Sequence, residues 1–281
     1  MAAQPLEIRP LTGSIGAEVL GVDLSKPLDN ETFSRIHQAF SDHLVIFFRD
    51  QKLEPGQLAD FARRFGPLDP HHVLKGMNGH PEVLEITRER TDKKIFAPGW
   101  HADVTWQEKP VLGAVLYGVE VPEVGGDTLF SNQYLAYEAL SPGMKAMLDK
   151  MKAVHGTALV YGDKADDYTY VDKLKESRKD AASKENVHPV VRTHPETRRK
   201  ALFVNDHYTL RFEGMTTEES RPLLQFLFNH AIRPEFTCRF RWQDGSIAFW
   251  DNRCSLHTPI DDYFGKRRQM WRITIGGDRP V

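Results

Sequence analysis

Cysteine is scarce in this chain: Cys238 and Cys254, in unrelated contexts, are the only two among 281 residues. That excludes a disulfide-stapled scaffold and a CxxC metal knuckle. Long apolar runs are missing as well. The longest, Leu44 to Phe48, falls far short of the roughly 20 residues that cross a bilayer. The opening stretch, Met-Ala-Ala-Gln-Pro-Leu-Glu-Ile-Arg-Pro, has neither an apolar signal core nor a cleavage pattern. No sign of charge dominates: 37 basic against 39 acidic residues leave −2, which argues against a nucleic-acid or membrane surface. Repeats and low-complexity segments are absent. The expectation is a soluble protein of a reducing compartment, the cytoplasm, with a small-molecule partner and with room for a homo-oligomer.

What is present suffices for a core, since 40% of the residues are hydrophobic. All-β sandwiches reach about 200–250 residues as one unit, so residues 1–281 are expected to form a single elaborated domain. Helices are predicted over 31–42 and 54–65, where Phe33, Ile36, Phe40 and Leu58, Phe61, Phe65 recur at helical spacing. Between them 43–48 reads as a buried strand. Further strands are expected at Val83–Thr87, Leu112–Val119 and 127–131, and a helix opens at Ser141-Pro142 and runs to about Met151. Residues 161–187, highly charged and weakly periodic, read as a surface excursion or lid. Beyond it come strands near 189–193 and 201–204, a helix near 217–230, and strands near 236–242, 246–250, 255–259 and 269–275. Short strands toward both ends with helices inserted fit a mainly β chain with a double-stranded β-helix core (a cupin-like jelly roll) better than alternating βαβ units.

The chemistry-bearing residues are His101-Ala102-Asp103, then His257 far downstream, then Arg268 and Arg272. Two imidazoles and one carboxylate make the ligand set of a facial triad for non-heme Fe(II), which leaves one side of the metal open. Trp100-His-Ala-Asp-Val-Thr105 reads as a strand end, placing His101 and Asp103 on one face. Asp251 and Asn252 read as turn residues shaping the loop that delivers His257. Lys266, Arg267, Arg268 and Arg272 have a bland reading as a solvated basic face. Arg268 and Arg272, however, stand at even spacing in an apparent strand and point the same way, which asks for an anion.

These stretches carry a family resemblance over nearly the whole chain. Gly16-Ala-Glu-Val-Leu-Gly-Val-Asp-Leu24, Phe61-Ala-Arg-Arg-Phe-Gly66, Trp100–Thr105, Gly125-Gly-Asp-Thr128, His188–Pro195, Trp250-Asp-Asn-Arg253, His257 and Arg268 to Asp278 occur in the order found in the taurine/2,4-dichlorophenoxyacetate dioxygenase (TauD/TfdA) family, which the chain resembles. The resemblance implies an Fe(II)- and 2-oxoglutarate-dependent dioxygenase that uses O2 and releases succinate and CO2. It implies that His101, Asp103 and His257 bind Fe(II), that Arg268 and Thr128 hold the 5-carboxylate of 2-oxoglutarate, and that Arg272 meets the anionic group of the prime substrate.

The substrate is expected to be a small organic anion, of aryloxyalkanoate or alkylsulfonate type, oxidised next to a heteroatom. His71 and His72 fall where the family places a substrate-contacting histidine, with His72 favoured, and Lys75 is similar to the loop of the aryloxypropionate-cleaving branch. Trp106, Phe130, Tyr134 and Trp271 are candidates for apolar walls. Taurine-selective members carry an asparagine shortly before the Trp-His motif; this chain has Phe96-Ala97-Pro98-Gly99 there, although taurine itself stays a candidate. Outside this class stand a zinc hydrolase, since the same ligands also hold Zn2+, and a cupin-like binding protein without turnover. The first gives the two arginines no role.

Overall fold

The computed structural model of the protein describes residues 5–71, 74–93, 97–161, 180 and 183–281. In chain order the strands are β1 (Glu7–Pro10), β2 (Ala17–Leu20), β3 (Val45–Phe48), β4 (Leu84–Arg88), β5 (Gly113–Glu120), β6 (Thr128–Asn132), β7 (Lys152–Gly156), β8 (Glu185–Pro189), β9 (Val191–Thr193), β10 (Lys200–Leu202), β11 (Thr209–Phe212), β12 (Thr237–Phe240), β13 (Ile247–Asp251), β14 (Ser255–Pro259) and β15 (Arg268–Ile275). The helices are α1 (Asn30–His43), α2 (Pro55–Arg63), α3 (Gln133–Glu138), α4 (Pro142–Leu148), α5 (Ala158–Tyr161) and α6 (Thr217–Ala231).

Period-two alternation builds two layers of core. A seven-stranded sheet runs β1–β2–β3–β13–β5–β15–β4. On one face Ile46, Phe48, Ile247 and Phe249 pack against Ile36 and Phe40 of α1 and Leu58 and Phe61 of α2. On the other face Val45, Phe47, Ala248, Trp250 and Met270 meet Phe130 and Phe240 from the sheet β12–β6–β14. The rings of Phe47 and Phe240 stack across the sandwich at 4.0 Å between centroids. This second interface is the jelly roll, and one of its edges opens into the site. A third cluster, with Leu148, Leu202, Phe212, Leu224 and Leu227, packs α4 and α6 beside the sheet β11–β7–β8.

The helix starts follow capping chemistry. Asp29 accepts a bond from the Thr32 amide ahead of α1, Ser141 caps α4 with Pro142 at its first position, and Thr216 with Glu219 forms a capping box on α6.

Several expectations need correction. The helix opened by Ser141-Pro142 ends at Leu148, because β7 begins at Lys152. The segment before β12 is a short 3-10 turn, Pro234–Phe236, set by its proline. Trp100–Thr105 is no strand end: only His101 makes a bridge, and a turn follows at 103–106 with Val104 at φ 45°. The 161–187 excursion lies for the most part outside the described residues, and its last residues, from Glu185, are strand β8 paired to β7.

Candidate active site

His257 sits on β14, whose other edge neighbour is β6: its backbone pairs with Phe130 there and with His101 on the free side. The His101 amide donates to the His257 carbonyl at 3.0 Å, and the His257 amide donates back to the His101 carbonyl at 2.8 Å. A hydrogen-bonded antiparallel pair thus places the two imidazoles side by side, 4.2 Å between centroids. Asp103 is brought in by the turn. Its amide donates to Asn252 Oδ1 at 2.6 Å, and Asn252 Nδ2 donates back to its carbonyl at 2.9 Å. Asn252 therefore acts as a one-residue strand partner, and its role goes beyond shaping a loop. The loop is itself braced by Asp251, which accepts two bonds from the Arg253 guanidinium and lies 3.0 Å from His194 Nε2.

Asp103 Oδ1 lies 3.7 Å from the Nε2 atoms of both His101 and His257. The other oxygen, Oδ2, accepts from Arg272 Nη2 at 2.6 Å and Trp250 Nε1 at 3.2 Å. His101 Nδ1 is 2.9 Å from the Gly99 carbonyl; donating to it turns the Nε2 lone pair toward Asp103. Burial depresses both imidazoles, His101 to about 3, with His257 adding to the effect, and His257 to about 4. Burial alone raises a carboxyl, but Arg272 and then the two histidines override it, holding Asp103 below the usual carboxylate range. At neutral pH the trio is two neutral imidazoles and one carboxylate, a donor set suited to a divalent first-row ion.

A second group, His194, Asp251 and Cys254, is also close enough to share an ion. There the carboxylate is already engaged by Arg253 and His194, and burial raises the Cys254 thiol well above its usual range. It is framework for the 251–254 loop.

The trio opens onto a solvent-connected chamber. Arg268, Met270 and Arg272 of β15, Ile86 and Arg88 of β4, Leu116, Thr128, Pro259, Tyr263 and Ala97 complete its lining with His101, His257 and Trp250. No acidic residue occurs among the described lining residues. Arg268 and Arg272 do share a face, four residues or about 13 Å apart along the strand. Thr128 Oγ1 accepts from Trp242 Nε1 at 3.0 Å, which leaves its own hydrogen to point elsewhere. Arg272 Nε is buried without a partner among the described residues. Gly125, at φ 88°, lets the loop before β6 pass Asp262: a Cβ there would stand 2.7 Å from the Asp262 carbonyl oxygen.

Other candidates fall elsewhere. His72 lies outside the described residues. His71 Nδ1 accepts from the Leu74 amide at 2.9 Å, and Lys75 is exposed and not part of the chamber lining. Of the four proposed apolar walls, none lines the chamber. Phe130 and Tyr134 are wholly buried, Trp106 is buried beside the Asn186 side chain, and Trp271 packs with Tyr117 on the opposite face of its sheet. Odd-numbered Trp271 cannot share a face with Arg268 and Arg272, so parity already opposed it. Unforeseen residues are Asn252 as a clasp, Trp250, Tyr263, Arg88 and His207, whose ring stacks on His101 at 4.6 Å. Arg88 had a signal, its even spacing from Ile86; His207 had none.

Within a β sandwich, two histidines and three arginines line an open chamber, with the Asp103 carboxylate beside the histidines. The chain belongs to the family described as taurine catabolism dioxygenase TauD, TfdA, which it matches over residues 7–274. It is 36% identical to an alkylsulfatase of Acinetobacter baylyi, over 98% of this chain and 86% of that one. It is also 36% identical to an α-ketoglutarate-dependent sulfate ester dioxygenase of Pseudomonas putida, over 99% and 92%. A crystal structure described as a taurine dioxygenase from Burkholderia xenovorans superposes with a TM-score of 0.82 at 38% identity, covering 98% of this chain and 92% of that one.

Proposed function

We propose that this α-ketoglutarate-dependent dioxygenase uses Fe(II) held by His101, Asp103 and His257 to hydroxylate a small organic anion next to a heteroatom, so that the product collapses and releases its leaving group. The observation that carries the reading is the chamber itself: three arginines, apolar walls and no acid among the described lining residues, beside an N, N, O donor set with one open side. Iron bound there supplies the redox chemistry, with 2-oxoglutarate and O2 as co-reactants that end as succinate and CO2.

The protein's part is positional. His101, His257 and Asp103 Oδ1 would hold the ion, while Arg272 and Trp250 engage Oδ2. Arg268 takes the distal carboxylate of the keto acid in a charge-assisted pair, and Thr128 donates its hydroxyl to the same group. Arg272, with Nε unspent, takes the anionic group of the prime substrate. Ile86, Leu116, Pro259 and Met270 exclude water and carry the substrate's carbon chain.

Alkyl sulfates, alkylsulfonates and aryloxyalkanoates share the needed chemistry, an anion on an oxidisable carbon chain. Taurine fits less well. Ala97 lies in the stretch where taurine-selective relatives carry asparagine, and among the described lining residues none is acidic to meet its amine. We assign one catalytic domain to the whole chain and a cytoplasmic location. Among the described residues no helix is long and apolar enough to cross a membrane, and both cysteines are free.

The test is succinate formation by the Fe(II)-loaded protein with ascorbate and O2, across an alkyl sulfate, a long-chain alkylsulfonate, taurine, an aryloxyacetate and an aryloxypropionate. Stimulation by one of the first two or of the aryloxy acids is expected, and strongest stimulation by taurine would refute the substrate reading.

A further inference from the structure

The Arg268 end of the chamber holds a second guanidinium that the proposed reaction does not use. Arg88 on β4 is 5% exposed, lines the chamber, and stands directly opposite Arg268 in the antiparallel β4–β15 register. Side chains so opposed have Cβ atoms about 4.5–5.5 Å apart, where like charges repel. The fold keeps both nonetheless. Arg88 Nη1 donates to Asp261 Oδ1 at 2.6 Å, while Nε and Nη2 reach the Asp92 carbonyl at 3.4 and 3.2 Å. Its Cζ lies 4.5 Å from the centroid of the Tyr263 ring, and that same ring is 5.9 Å from Arg268 Cζ. Tyr263 thus packs against both cations, and Asp261 and Tyr263 belong to the segment joining β14 to β15.

Resting on the proposed binding of the keto acid at Arg268, the geometry points to Arg88 as a positioning residue that makes the site select a keto acid bearing a distal carboxylate. Bonds from Nε, Nη1 and Nη2 tie it to Asp261 and the Asp92 carbonyl, and it acts through these neighbours. It fastens the Tyr263 wall over Arg268 and leaves that end of the chamber net positive beyond what Asp261 offsets. A carboxylate arriving at Arg268 relieves the repulsion between the two guanidiniums. A keto acid without that carboxylate gains nothing from Arg88.

The experiment is calorimetric titration of the Mn(II)-loaded protein with N-oxalylglycine, a non-reacting stand-in for 2-oxoglutarate, and with 2-oxovalerate, which has the same chain length and no distal carboxylate. Arg88→Met is expected to weaken N-oxalylglycine at least about tenfold, or 1.4 kcal/mol, with 2-oxovalerate unchanged. Arg88→Lys keeps the charge but cannot span both acceptors, and is expected to side with Arg88→Met. Equal weakening of both ligands, no change in either, or full rescue by lysine would each overturn the assignment. Failure of the wild-type protein to bind N-oxalylglycine would take down the proposed function with it.

Discussion

Removing the amide of Asn252 is the sharpest perturbation that leaves every proposed ligand in place. Asn252→Ala deletes the acceptor of the Asp103 amide and the donor to the Asp103 and Val111 carbonyls, contacts of 2.6, 2.9 and 3.3 Å. Both residues are almost wholly buried, so water does not replace the lost partners. A buried polar group left unsatisfied costs about 1–3 kcal/mol, and at least the Asp103 amide and carbonyl are stranded, so a stability loss of roughly 3 kcal/mol is expected. The turn holding Asp103, with Val104 in a left-handed conformation, then has less to fix it. Losing such an outer partner lowers metal affinity by about 10–100-fold. Asn252→Asp tests the same contact by charge: one oxygen still accepts from the Asp103 amide, but the other faces two carbonyl oxygens and repels them. Anaerobic titration with Fe(II), read beside a thermal melt, separates affinity from folding. A folded Asn252→Ala or Asn252→Asp protein binding Fe(II) as tightly as wild type would refute the clasp.

Other expectations follow from single contacts. Thr128→Val strands the buried Trp242 indole N–H and removes the hydroxyl proposed to meet the keto acid, so KM for 2-oxoglutarate is expected to rise several-fold with the KM of the prime substrate unchanged. Gly125→Ala sets a Cβ 2.7 Å from a backbone oxygen at φ 88°, and a melt should show about 1–3 kcal/mol of lost stability. His155, wholly buried, is held by burial and by His188 at about 3 rather than the 6.5 of a free imidazole. The unfolded chain therefore binds the proton first, so His155 makes stability fall as pH drops from 6.5 toward 3. Denaturant titrations of His155→Gln should show a shallower loss over that window, and an identical pH profile would contradict the assignment.

Sequence patterning reached the sheet faces and the residues that converge. Parity along β15 placed Arg268 and Arg272 together, and the phenylalanines of α1 and α2 marked the helices that cover the large sheet. The approach of His101 to His257 across the chain is legible from the ligand set and the resemblance and not from periodicity, because a single bridge leaves no periodic trace. Short elements escaped for related reasons. β1, β2, β7 and β11 have four or five residues each, too few for alternation to stand out, and α3 follows β6 with no break in composition. Asn252 reads as a turn residue in sequence because a side chain clasping a backbone 149 residues away has no local signature. The aromatic walls were misplaced because burial in a sandwich core and burial in a pocket ask for the same side chains.

The account stands most directly on the release of labelled CO2 from 2-oxoglutarate carrying the label at its 1-carboxylate, measured with Fe(II)- and Zn(II)-loaded protein and with His101→Ala and His257→Ala. It predicts O2-dependent release with iron, none with zinc, and loss of the iron-dependent signal in both variants with folding retained. Undiminished release from either variant, or turnover supported equally by zinc, would contradict it.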